Sequence, residues 1–214
     1  MDAPIDVYVL IDIFLLLLIG VGPKIALVPF LDVTAGMDAA TRARVTRSML
    51  TTAGVVALIL IVVGELLRKL LHFSTGALSI AGGIILLIIA VGMIRGPTEA
   101  ETQHRGADEP DPMRLAVFPL AVPYLLNPVG IVVLVTVSAD ATSARLLLAV
   151  IGLLALVLAL DTVVFRWANR VSDHLDASRM LVTEKVFGVL LAALAVQLGL
   201  NGLADVGLIH LPPH

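Results

Sequence analysis

Six stretches of this chain are apolar for long enough to cross a membrane: roughly 7–31, 48–71, 76–95, 115–137, 144–167 and 185–203. A spanning helix takes about 20 mostly apolar residues. Lipid offers no partner to a backbone N–H or C=O, so each stretch is held to a helix that satisfies its own polar groups. Two stretches break that rule. Gly20-Val21-Gly22-Pro23-Lys24 interrupts the first, and Leu126-Asn127-Pro128-Val129-Gly130 interrupts the fourth. Proline lacks the N–H and clashes with the carbonyl one turn earlier, which frees polar groups inside the membrane. Such groups survive only under protein or beside a water-filled cavity. Paired interruptions in two related halves point to the binding site of a transporter.

The halves read as copies. Pro23 and Pro128 stand 105 positions apart, and so do Gly83 and Gly188, Leu86 and Leu191, Ala90 and Ala195, and Val91 and Val196. Residues 1–95 form the first three-helix repeat and 115–214 the second. Between them, 96–114 carries Glu99, Glu101, Arg105, Asp108, Glu109 and Asp111 among three prolines, a composition that predicts a flexible charged linker. Three spans are an odd number, so the second copy inserts upside down, as in inverted-repeat carriers. Ten of the fourteen lysines and arginines flank the ends of spans one, three and five. The positive-inside rule then places both termini outside the cytoplasm. Asp2, Asp6 and Asp12 stand where a signal peptide would be basic, so the first span is read as retained.

Composition narrows the function further. The chain is 59% hydrophobic and 14% charged, with a mean hydropathy of +1.04, against about half and about a quarter in soluble domains. A net charge of −3 gives no basic patch for nucleic acid. The absence of cysteine excludes thiol catalysis, cysteine-ligated metal and disulfides. His72, His104, His174, His210 and His214 lie in loops or the tail without metal-ligand spacing. No nucleophile, base and acid converge in the spans, so neither an enzyme nor a cofactor is expected. The expected partners are a small-molecule substrate and membrane lipid; homo-oligomerisation and the coupling ion or proton stay open.

The breaks supply the candidate site: Gly22, Pro23 and Lys24 on one side, Asn127, Pro128 and Gly130 on the other. Lys24 lines the site, or snorkels to cytoplasmic headgroups on its long stem. Asn127 binds substrate, caps the half-helix that follows, or does both. With an outside amino terminus, the half-helices that start at Pro23 and Pro128 aim their amino ends at one another across the midplane. Each end has unpaired amides and about half a positive charge, which suits a small carboxylate. Elsewhere, Glu65 is expected to pair with Arg68 and Lys69, and Asp161, beside Phe165-Arg166-Trp167, to lie near the surface. Asp12 is a secondary candidate for a proton or ion site, and Gln197 and Asn201 are polar groups suited to joining helices. Gly82, Gly83 and the Gly92–Gly96 spacing suit close helix packing.

Three longer stretches carry a resemblance. Leu78–Met93, Phe118–Gly130 and Val186–Gln197 resemble, in order and spacing, the third, fourth and sixth spans of the MarC family within the LysE-type carrier group. That resemblance implies a multi-pass inner-membrane protein of a bacterium or archaeon, in a family that includes small neutral amino-acid transporters. One motif departs from it. Where the family's first break has a polar residue before proline, this chain has Gly22, followed by Lys24, and the second proline, Pro29, comes six positions after Pro23. The reading is an all-α membrane protein of six spans in two inverted repeats, the first and fourth broken at mid-membrane. It acts as a secondary transporter of a small polar solute, an amino acid or other small carboxylate. A channel, or a membrane protein that transports nothing, are the competing readings.

Overall fold

The structure, a computed structural model, describes residues 7–96, 111–140, 143–171 and 177–210. Most of the expected linker, both chain ends and His104, His174 and His214 lie outside the described residues. The elements are α1 (Val7–Gly20), α2 (Pro23–Val33), α3 (Ala39–Leu71), α4 (Thr75–Arg95) and α5 (Pro112–Leu115). A wider, π-type segment (Ala116–Leu125) continues α5, and α6 (Pro128–Asp140), α7 (Ala144–Val171) and α8 (Ala177–Asp205) follow. No strand occurs among the described residues.

Spans one and four are both interrupted. The first is α1 and α2 separated at Val21-Gly22, and the fourth is Pro112–Leu125 and α6 meeting at a 67° bend. The fourth is more broken than its sequence suggested. Its backbone leaves the helical region at Phe118 (φ −136°, ψ 124°) and again at Val122 (φ −135°, ψ 123°). Each precedes a proline, and the proline ring pushes the preceding residue into extended geometry.

Three helices overrun their apolar stretches because polar sequence continues the turn. α3 starts at Ala39 rather than 48, capped by Asp38, whose Oδ1 accepts from the N–H of Ala40 (2.9 Å) and of Thr41 (3.0 Å). The Thr41 side chain, and then the two amides, hold the Asp38 carboxyl below its usual value. At 33 residues the helix is about 50 Å long by its rise, well beyond the hydrocarbon, so its arginine-bearing first turns project past it. α7 and α8 also outlast the stretches that announced them.

The outward faces are apolar. Val55, Leu58, Ile59 and Val62 of α3, Ile84 and Ile88 of α4, and Val189 and Leu190 of α8 are all exposed. A water-soluble chain rarely shows contiguous apolar surface on that scale, whereas lipid requires it.

The inverted repeat is visible in the packing. α4 and α8 lie antiparallel along each other. A Cβ built on Gly83 would stand 2.7 Å from the Ala195 carbonyl oxygen, and one built on Gly188 would stand 3.2 Å from that of Ala90. Moving Gly83 and Ala90 on by 105 positions gives Gly188 and Ala195, so the two contacts are copies of each other. The first span packs on α7 as the fourth packs on α3, and α3 meets α7. The halves are thus interlocked. Gly92 is a correction: a Cβ there would meet nothing within 4 Å, and Gly96 (φ 77°) ends the helix. The Gly92–Gly96 spacing is no packing motif.

Candidate functional site

At the first break the Val21 N–H closes the last turn of α1 onto the Leu17 carbonyl (2.7 Å), and Gly22 is extended (φ −94°, ψ 164°) before Pro23 restarts the helix. A side chain at position 22 would collide with the Leu18 carbonyl. Glycine permits the break but offers no atom to cap α2, whose first turn has no side-chain cap. At the second break the Leu126 N–H reaches back to the Ala121 carbonyl (2.8 Å), and Asn127 follows.

The two breaks meet. The Asn127 backbone N–H donates to the Gly20 carbonyl (3.0 Å) and its Nδ2 donates to the Ile19 carbonyl (3.0 Å). These are carbonyls at the frayed end of α1, where no amide one turn on can reach them. Asn127 Oδ1 accepts from the Gly130 N–H (3.1 Å) and so caps α6. This fully buried side chain therefore ties one break to the other. Gly20 and Gly130 press backbone to backbone, and a Cβ on either would collide with the backbone of the other. Pro128 lies against Gly82 of α4 (3.4 Å from a built Cβ).

Of the expected site residues, Asn127 and Gly130 meet the first break, at Ile19 and Gly20, while Gly22 and Pro23 follow that contact along the chain. Lys24 is different: its side chain is exposed and has no polar partner among the described residues. Gly20, named in the first break but not among the candidate site residues, belongs to the crossing. The signal for it was present, since it opens the same Gly-Val-Gly-Pro run.

Away from the crossing, Glu65 chelates Arg68 (2.7 and 2.9 Å) and reaches Lys69 (3.1 Å), as expected. Asp12 is exposed, and Gln197 donates to Asn201 (2.8 Å) within α8. Asp161 corrects the sequence reading. It is 0% exposed, and neither carboxylate oxygen has a hydrogen-bond partner among the described residues. The arginine and tryptophan that follow it suggest a position near the surface. Its place in the stripe Val150, Leu154, Val157, Asp161, Phe165, Ala168, all buried, follows helical spacing and was the better guide. Arg42, seen only as one of the flanking cations, is also buried, with Nη1 on the Asn169 carbonyl (3.1 Å) and Nη2 on that of Met37 (3.0 Å). No group of three His, Asp or Glu side chains among the described residues could hold a metal.

Known proteins share this chain's pattern. The family described as "MarC family integral membrane protein" matches residues 7–206. A UPF0056 membrane protein of Methanocaldococcus jannaschii is 29% identical over 81% of this chain and 85% of its own length. The UPF0056 membrane protein YvbG of Bacillus subtilis is 29% identical over 94% and 96%, and YhcE of Escherichia coli is 24% identical over 96% and 94%. No solved structure matches the chain. With a broken, interlocked helical body and this match over nearly its whole length, the chain belongs to the MarC family of integral membrane proteins.

Proposed function

We propose that this protein is a secondary carrier of a small carboxylate-bearing solute, most simply an amino acid, held between the two breaks and exposed alternately to each side. The observation that carries this reading is the direct meeting of two interrupted spans at Asn127 and Gly20. Irregular backbone is costly in lipid and is kept where it lines a site. The two ends are unequal: α6 is capped by Asn127, while α2 has no side-chain cap. The open amino end of α2 is the natural seat for a carboxylate. Lys24, exposed in the first turn of α2, is placed to draw an anion toward that end. Gly20 against Gly130 leaves no room at this level, which favours an alternating carrier over a standing pore. The carrier performs no covalent chemistry, sits in the inner membrane and has both termini outside.

A thermal-shift screen of the purified protein against amino acids and small organic acids tests the ligand class. Binding to the folded state alone raises the melting temperature with ligand concentration. Stabilisation by a carboxylate-bearing solute, and none by its amide, is expected. Equal shifts for acid and amide would reject a carboxylate seat.

A further inference from the structure

Asp161 takes no part in the crossing, yet it is the one acidic side chain among the described residues that is fully buried. Both its oxygens lack a partner there. It lies in the seam where α7 packs on α1, α2 and α3. One turn along, Phe165 meets Phe30 of α2 edge to face, with ring centroids 5.0 Å apart. On α3 the seam is registered by Asn169 Nδ2 on Thr46 Oγ1 (3.1 Å) and by Leu158 against Gly54 (2.9 Å from a built Cβ). Asp161 stands between Leu158 and Asn169 along α7, and so between those two levels of the seam.

The charged groups of every packed element leave it alone. Asp12 of α1 and Lys24 and Asp32 of α2 are exposed. On α3, Arg44 and Arg47 are exposed, Glu65, Arg68 and Lys69 pair with each other at the far end, and Arg42 is held by the Asn169 and Met37 carbonyls. Asn169 is two helical turns from Asp161, about 12 Å of rise. On α7 itself Arg145, Arg166 and Arg170 are exposed. A carboxylate in such a seam has no donor among the described residues, and an intramembrane acid of this kind marks a proton or ion path. Binding of a proton neutralises such a carboxylate without any further ligand.

Resting on the carrier reading above, we propose that Asp161 is the proton-binding site of this protein and couples proton movement to the alternation of the two breaks. α2 links the two places, because it begins three residues after Gly20 of the crossing and its Phe30 closes the seam over the Asp161 stripe. With the seam shut, Asp161 is the neutral carboxylic acid. When α2 shifts, Phe30 parts from Phe165 and water enters. The O–H bond then breaks, the proton passes to water, and a hydrated carboxylate remains. The seam recloses only after a proton is taken up again. One proton is bound and one released in each cycle, so charge and atoms balance.

Two measurements on the full chain in lipid separate this proposal from the reading beneath it. Infrared spectroscopy at neutral pH should show a protonated-carboxyl band in the wild type that is missing from Asp161→Asn, an isosteric neutral variant expected to elute as a folded species. A wild type without the band, or an Asn variant that keeps it, would overturn the proton site. In proteoliposomes, a pH gradient should accelerate wild-type uptake of labelled L-alanine. Asp161→Asn should exchange alanine at equal pH yet ignore the gradient, and Asp161→Glu should regain the response. A gradient response preserved in Asp161→Asn would make the acid merely structural and overturn the coupling. A wild type with the band but no alanine flux would reject carriage of this probe and the coupling with it. The proton on Asp161 would then stand by itself.

Discussion

A single residue, Asn127, holds the two breaks together, and its two side-chain hydrogen bonds are open to substitution. Asn127→Ala removes both side-chain bonds and strands the Ile19 carbonyl and the Gly130 N–H. Each buried group left unpaired costs about 1–3 kcal/mol, so the variant should melt at a clearly lower temperature in detergent and carry less solute. Asn127→Asp keeps an acceptor for Gly130 but turns a carboxylate oxygen toward the Ile19 carbonyl, and the buried charge should lower the melting temperature at least as far as alanine does. An alanine variant that melts like the wild type would show that the crossing is not what these bonds sustain. Gly130→Ala places a methyl group against the Gly20 backbone, and overpacking of this kind costs about 1–3 kcal/mol. Lys24→Ala touches no internal contact, so the fold should be unchanged while the apparent affinity for a carboxylate falls. If that affinity were unaltered, Lys24 would belong to the headgroup region and the open end of α2 would bind alone.

At the scale of elements, the seam between α4 and α8 is set by small residues on one side of each helix and not by glycine as such. Gly83→Val drives branched carbons into the Ala195 carbonyl and the Gly199 backbone and should part the helices, seen as loss of a monodisperse peak in gel filtration. Gly92→Ala meets nothing and should be neutral or slightly stabilising, since alanine is the better helix former. Equal damage from both would mean that glycine content, rather than this contact, matters. Which glycines lie in the seam was half legible in the sequence. The 105-residue offset picked out Gly83 and Gly188, because a repeated contact needs a repeated residue. The Gly92–Gly96 spacing misled, because a glycine pair is written the same way whether it packs a helix or ends one. Asp161 was misjudged for a related reason: its neighbours in sequence are interfacial, but its neighbours in space are those three and four residues away. The breaks at Phe118 and Val122 are written in Pro119 and Pro123, the residues that follow them.

At the scale of the molecule, the spans and the fourth-span break were legible because lipid leaves the backbone few choices. The way the halves interlock was not legible, since it depends on which faces of the helical pieces meet. The inverted repeat predicts its own topology: reporters fused at Met1 and at His214 should both report the non-cytoplasmic side, and a cytoplasmic signal from the second would remove the odd-span repeat. The central claim, a carrier that works through the meeting of two broken spans, is tested most directly by labelled amino-acid flux in proteoliposomes. The wild type should show saturable uptake, accelerated by the same solute on the opposite side, and Asn127→Ala should lose both properties. Flux that rises linearly without saturation and ignores solute on the far side, or saturable flux untouched by Asn127→Ala, would contradict it.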